Sequence, residues 1–288
     1  MWILVLPGVV WLVIFGYAPL YGVIIAFKDY NTGLGIYGSP WAGLKYFREV
    51  FADANFYNAL RNTLMFSMLN LAFGFPVPII FALLVNELKG MRLFKKTVQT
   101  ISYMPHFLSW AFVASFLISF LREDGLMNTA VKALGGAAVP FFSNEGWFIF
   151  TIVASSLWKS FGYGSIIYLA AMASINMEMY EAAYIDGSTR MQNIRYITLP
   201  SIKPTIVILL ILTISSMMQT NFEQFFLLQN NFVINVARVI DVYTYSLGFE
   251  KARLSYATAV GLFKSVVSLV LLVSANGVSR RLTGESIY

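Results

Sequence analysis

EAAYIDGSTRMQNIRYITLP, Glu181 to Pro200, is a polar island between two long apolar runs, Trp147 to Ala173 and Pro204 to Phe222. Met177 to Ile185 is rich in helix formers, Asp186 and Gly187 supply a sharp turn, and Ser188 or Thr189 can cap a second helix through Ile197. Pro200 is expected to stop that second helix, and Pro204 suits the first turn of the run behind it. Ala182, Ala183, Ile185, Ile194, Ile197 and Leu199 are expected to form a buried side, leaving Glu181, Arg190, Gln192 and Arg195 to water or a partner. The stretch therefore predicts a compact helix-turn-helix, at about residues 175–203.

Composition decides where such a hairpin sits. Of 288 residues 58% are hydrophobic and 12% charged, with a mean hydropathy of +0.69. A soluble domain carries about 25% charged residues, so the chain is an integral membrane protein. Runs near the length needed to cross roughly 30 Å of hydrocarbon occur six times: Trp2 to Phe27, Leu60 to Val85, Thr100 to Phe120, Trp147 to Ala173, Pro204 to Phe222 and Tyr256 to Val278. They are apolar on nearly every face, which fits helices and not alternating barrel strands. The expected fold is an all-α membrane protein of about six transmembrane helices, one membrane domain over residues 1–288. The first run lacks a basic leader and a small-residue cleavage site, so it is expected to stay in the mature protein.

Lys89, Arg92, Lys95, Lys96, Arg190, Arg195, Lys203, Arg280 and Arg281 fall on one side of the six runs, and an equal number of Lys and Arg fall on the other. The first group is denser, being on shorter loops, and a basic segment ahead of Met1 would tip the balance the same way. On that basis both termini and the Glu181 hairpin are expected in the cytoplasm. Three outer loops, Lys28 to Ala59, Leu121 to Gly146 and Glu223 to Ser255, are rich in Gly, Pro, Asn and aromatic residues and are expected to be ordered but irregular.

The lack of cysteine excludes disulfides, thiolate metal sites and Cys-based catalysis, and a single histidine, His106, with few carboxylates near it argues against a metal site or His-based catalysis. No GxxxxGK[ST] loop occurs, so ATP hydrolysis is not expected of this chain. The net charge of +6 and pI near 9.4 suit contact with anionic lipid and name no nucleic-acid partner. Polar side chains within the runs are expensive and mark a candidate pathway: Asn70, Lys159, Ser160, Gln219, Asn221 and Lys264, with Glu223 and Gln224 at the outer end of the fifth run and Tyr163 among the aromatics that could stack on a sugar ring. The alternative for each is an interhelical bond, or for the lysines snorkelling or pairing with a carboxylate such as Glu223. Prolines 7, 19, 76 and 78 are expected to kink their helices.

The hairpin's spacing carries one more signal. Glu-Ala-Ala, three residues, Gly, nine residues, Ile, one residue, Leu-Pro resembles the EAA motif of bacterial ABC importer permeases, with Glu181, Ala182, Ala183, Gly187, Ile197, Leu199 and Pro200 in register. Asp186 matches the frequent Asp-Gly pair, and Ile194 stands where an aromatic residue is common. Further pieces, among them YGVIIAFKDY at Tyr21, RNTL at Arg61, YMPHFLSW at Tyr103, LWKSFGYGSIIYLA at Leu157, SYATAVGLF at Ser255 and the tail from Arg280 to Tyr288, are similar to the LplB-like oligosaccharide branch of the carbohydrate-uptake permeases.

The resemblance implies a type I importer fold in the bacterial inner membrane, a second homologous permease, two ATPase subunits that bind ATP and Mg, an extracellular solute-binding protein and an oligosaccharide substrate. It makes the hairpin the ATPase-coupling element, with Glu181, Ala182, Ala183, Asp186, Gly187, Arg190, Ile197, Leu199 and Pro200 as its residues. A subsidiary expectation is that Lys159 or Lys264 favours an acidic sugar. A secondary transporter or channel for a small polar solute is the alternative; it would use acidic residues within its spans and has no need of a docking hairpin.

Overall fold

The computed structural model describes residues 2–88, 90–284 and 286, so Met1, Lys89 of the basic loop, and Glu285, Ile287 and Tyr288 of the family-like tail lie outside the described residues. The described chain is helical, its only extended pairing being an isolated bridge between Lys28 and Trp41. Among the described residues four helices are long and apolar enough to cross a membrane: Val5–Phe27, Ala54–Asn86, Arg190–Ser215 and Leu254–Arg281. A fifth crossing is available if the bent pair Arg92–Phe107 and Trp110–Ala133 counts as one. The expected fourth run lies within a continuous 29-residue helix, Glu145–Ala173, whose apolar character is diluted by Thr151, Ser155, Lys159, Ser160 and Ser165.

Two expected spans and the hairpin differ in detail. The third is no straight helix: Arg92–Tyr103 runs into a tight turn at Met104–Phe107, then Leu108 and Ser109 extend, and Trp110–Leu121 departs at 98°. Pro105 and the Ser109 side chain, which caps the new helix by accepting from Phe112 N–H at 3.3 Å, explain the break. The fifth ends at Ser215, and Phe222 opens a separate helix, Phe222–Leu228, capped by Asn221. Pro200 does not stop the hairpin's second arm, because Arg190–Asn193, Ile194–Thr198 and Leu199–Ser215 follow one another without interruption.

The reason is local. Ile194–Thr198 is a π turn in which Leu199 N–H reaches the Ile194 carbonyl, one residue further back than in an α-helix. The same wide turn occurs at Val13–Tyr17 ahead of Pro19 and at Asn70–Gly74 ahead of Pro76, each time with the proline two residues past the turn. An inserted residue makes room for a ring that carries no N–H. These prolines are thus absorbed within helices that continue. The expected irregular loops also contain short helices, including Lys45–Ala52, Leu126–Ala133, Ile234–Ala237 and Ile240–Tyr245.

By backbone contact the chain divides into two units. The first comprises residues 1–62 and 238–267. Its core joins Val50, Phe56, Ala59, Ile240, Tyr243, Tyr256 and Val260, with Phe51, Phe56 and Phe263 meeting edge to face. Tyr243 and Tyr256 hydroxyls donate to the same Asp53 oxygen at 2.5 and 3.0 Å, and Arg253 donates to Glu49 at 2.6 Å. The second unit comprises residues 63–237 and 268–288. There the Glu145–Ala173 helix packs along Pro76–Asn86, and Ala82, Tyr168, Met172 and Ile202 form a core.

Candidate functional site

The hairpin begins where Asn176 caps Met177–Ile185 by accepting from Glu178 N–H at 3.0 Å. That helix closes on Gly187, whose φ of +77° suits glycine; Ser188 N–H reaches the Ala183 carbonyl at 2.9 Å and Gly187 N–H the Tyr184 carbonyl at 3.0 Å. Thr189 then opens the second arm with a capping box: Gln192 N–H donates to the Thr189 hydroxyl, and Thr189 N–H donates to the Gln192 side chain at 2.7 Å. The arms are tied by Tyr180 and Thr198, whose hydroxyls lie 2.8 Å apart, and by the Ser188 hydroxyl on Asn193 at 2.7 Å.

Glu181, Ala182, Asp186, Gly187 and Arg190 are exposed, Ala183, Ile197 and Leu199 half-buried, and Pro200 exposed at the start of the Leu199–Ser215 helix. The expected buried side is only partly realised. Ala182 is exposed, and Ile185 and Tyr184 are 83% and 80% exposed, because the turn projects them beyond the reach of the second arm. Met191 is also exposed, so the tip is apolar and open.

Both arms lead to one cavity. In the second unit a cleft of about 170 Å³ is lined by Asn70, Gln219, Asn221 and Gln224, four of the expected pathway residues, together with Ser156 and Thr213. Gln224 is buried and donates from Nε2 to the Ile152 carbonyl at 2.9 Å and to the Ser155 hydroxyl at 3.0 Å, which fixes it against the Glu145 helix. Asn221 caps the Phe222 helix, and Asn70 folds over Gly74, where a Cβ would lie 2.1 Å from its Oδ1. Ser67 donates to the Met217 carbonyl, holding the chain that leaves the Leu199 helix. These donors and acceptors suit hydroxyl-rich solutes.

The remaining expected residues go elsewhere. Glu223 is exposed on the Phe222 helix, and Tyr163 stacks on His106 with ring centroids 3.8 Å apart. Lys159 turns its ammonium onto the His106 carbonyl at 2.6 Å, and Lys264 pairs with Asp241 in the first unit; a carboxylate partner is met in the second case only. Ser156, Thr213, Ser216 and Thr220 also line the cavity and were not singled out in the sequence. Thr213 and Ser216 sit three apart on one helical face, a spacing that points both at one neighbour. Among the described residues no group of His, Cys, Asp or Glu is placed to hold a metal.

One helix runs from the hairpin to the cavity, and a second reaches the hairpin across a short bend at Ser174–Asn176. Glu145–Ala173 carries Ser156 at the cavity and Met172 near the hairpin's first arm, sixteen residues or about 24 Å apart along the axis. Leu199–Ser215 rises from the second arm to Thr213 at the cavity wall. The Leu199–Ser215 helix thus joins the hairpin's second arm directly to the cavity wall.

Over its whole length the chain is 43% identical to protein LplB of Bacillus subtilis, spanning 91% of that protein, and 43% identical to the polygalacturonan/rhamnogalacturonan transport system permease protein YteP of the same organism, spanning 90%. It superposes with a TM-score of 0.90 and 41% identity on a chain of a bacterial ABC transporter involved in the import of the acidic polysaccharide alginate, covering 98% of this chain and 95% of that one. A second structure of the alginate transporter, in complex with an alginate pentasaccharide-bound periplasmic protein, matches with the same TM-score at 40% identity, covering 99% and 96%. Residues 50–284 match the model of the binding-protein-dependent transport system inner membrane component, and the chain belongs to that family, as the membrane permease subunit of an ABC importer.

Proposed function

We propose that this chain pairs with a second, homologous permease to form the translocation pathway for an oligosaccharide that an extracellular binding protein delivers. Two ATPase subunits, which bind ATP and Mg, dock beneath the pair and drive it through the hairpin at about residues 175–203. Residues 1–288 act as one permease domain in the bacterial inner membrane, with both termini and the hairpin in the cytoplasm.

The observation that carries this reading is the helix that the hairpin and the cavity share. A hairpin with an exposed apolar tip runs without a break from its second arm into the Leu199–Ser215 helix of the cavity wall, and the short bend at Ser174–Asn176 joins its first arm to the Glu145 helix, which is the layout a lever requires. Glu181 offers charge-assisted hydrogen bonds to a basic group of the ATPase, Ala182 and Ala183 permit close helix approach, and Gly187 sets the turn. Asn70, Gln219, Asn221 and Gln224 present amides to sugar hydroxyls. The transport roles named for the relatives support a saccharide as the cargo, a uronate-containing one included.

The test is reconstitution in proteoliposomes with the partner permease, ATPase and binding protein encoded beside it. ATP-dependent uptake of an oligosaccharide is expected, as is loss of uptake when Glu181→Ala is combined with Gly187→Val. Absence of uptake in the wild-type complex overturns the import reading, and full uptake by the double variant overturns the coupling role.

A further inference from the structure

Lys159 stands in the middle of the Glu145 helix, 9% exposed, and among the described residues no carboxylate forms an ion pair with its ammonium. Its Nζ donates to the His106 carbonyl at 2.6 Å, lies 3.5 Å from the Pro105 carbonyl, and sits 5.6 Å from the centroid of the Trp110 ring. Those groups flank the break in the third span. The carbonyls belong to the end of the Arg92–Phe107 run, where helical hydrogen bonding stops, and Trp110 is the first residue of the helix that departs at 98°. A cation at a helix C-terminus meets the negative end of the dipole and replaces hydrogen bonds that the missing next turn would have made. One side chain thus holds both sides of the break, through charge-assisted hydrogen bonds on one side and the ring face on the other.

The next turn of the Glu145 helix completes the grip. Gly162 lies against the Ser102 backbone, and the exposed Tyr163 ring stacks flat on His106, with planes 1° apart. Lys159, Gly162 and Tyr163 share one helical face, at spacings of three and four. The helix beyond the break, Trp110–Leu121, packs on Phe222–Leu228, which carries Gln224 in the cavity wall.

We propose that Lys159 is a positioning residue of the transport path, locking the third span in its bent form and so setting where the Phe222 helix holds the cavity wall. It is no ligand for the cargo's charge. This rests on the import reading only for its consequence in transport; the lock itself is a property of the break.

The test uses the assembled transporter in lipid nanodiscs and hydrogen exchange read by mass spectrometry over residues 104–113, with uptake of a neutral and a uronate oligosaccharide measured in parallel. Lys159→Met is expected to speed exchange of the amides after the break by roughly tenfold or more, the factor that loss of a charge-assisted hydrogen bond implies. Uptake of both sugars should fall together, and Lys159→Arg, which keeps the charge and donors, should restore protection. Unchanged exchange in Lys159→Met, or loss confined to the uronate with the break intact, overturns the proposal. If Lys159→Met does not assemble, Trp110→Leu decides: faster exchange confined to the break supports the lock, and unchanged exchange overturns it. The exchange readout needs no sugar, so it stands even if import fails.

Discussion

Gly162 touches the backbone of Ser102 so closely that a Cβ built on it would lie 2.1 Å from the Ser102 carbonyl oxygen and 2.5 Å from its carbon. Main chain cannot yield as a side-chain tip can. Gly162→Ala must therefore push the Glu145 and Arg92 helices apart, and overpacking of this kind costs about 1–3 kcal/mol. Gly164 is the control, since a Cβ there meets only the Pro78 ring at an ordinary 3.4 Å. Thermal melting of the detergent-solubilised protein should fall for Gly162→Ala and stay level or rise for Gly164→Ala, which gains helix propensity.

Gln224 separates size from charge in the cavity wall. Gln224→Leu removes two hydrogen bonds, to the Ile152 carbonyl and the Ser155 hydroxyl, but Ser155 still donates to the Thr151 carbonyl at 2.6 Å. The expected cost is about 1–2 kcal/mol, the scale of a buried bond whose partners are otherwise satisfied. Gln224→Glu instead places a carboxylate against two acceptors, and no donor replaces the amide. The acid variant should melt well below the leucine variant; equal melting temperatures would show that the side chain is less confined than its 1% exposure indicates.

Much of this was legible in the sequence, and the limits are physical. Gly187, Thr189 and the EAA spacing specify the hairpin because its turn and caps are local chemistry that residue type dictates. Asn70, Gln219, Asn221 and Gln224 stood out because an amide in an apolar run is costly, and the structure brings the four to one cavity wall, with Gln224 alone buried. The fate of Lys159 was not readable: which acceptor satisfies a buried ammonium depends on the break at Leu108 and Ser109, fifty residues away and invisible to periodicity. The continuity through Pro200 was hidden for a related reason, since a π turn is a tertiary accommodation and leaves no pattern of its own. Ile185 was misjudged because amphipathic spacing tells which residues share a face and not whether anything covers that face.

Asp53 gives a pH prediction. Burial works against its charge, but hydrogen bonds from the Tyr243 hydroxyl, the Asn55 N–H and the Tyr256 hydroxyl outweigh that and hold its carboxyl below the usual carboxylate range. A depressed folded-state value stabilises the fold above the unfolded value of about 3.9 and is lost as pH falls through the folded one. The Tyr243 hydroxyl is pushed up, chiefly by burial and then by its bond to Asp53, so it stays a donor throughout. Acidification from pH 6 to 3 should loosen residues 238–256, read as faster hydrogen exchange. Asp53→Asn should start looser and respond less to pH over that range.

Lys264 and Asp241 form the pair that decides whether Lys264 serves structure or cargo. Both side chains are about one-fifth exposed, and Lys264 donates to Asp241 Oδ1. Removing either partner leaves a partly buried charge without its ion pair, at about 1–3 kcal/mol, whereas removing both relieves it. Lys264→Met and Asp241→Asn should each lower the melting temperature, and the double variant should recover part of the loss. Additive losses would mean that the two charges are satisfied independently, and would return Lys264 to candidacy for the pathway.

The hairpin allows folding and docking to be separated. Gly187→Ala forces a Cβ into a left-handed conformation, and Thr189→Ala removes a cap; each should cost about 1 kcal/mol of local stability. Ile185→Asp should cost little, because a side chain 83% exposed loses few contacts on replacement. If the tip is a docking surface, the same substitution places a charge in an apolar interface and should sharply weaken association with the ATPase subunits. Pull-down of the ATPase by the affinity-tagged permease pair, alongside melting of the permease alone, reads the two effects separately. A hairpin that only connects spans gives the reverse order: Gly187→Ala weakens the permease, and Ile185→Asp leaves ATPase association untouched.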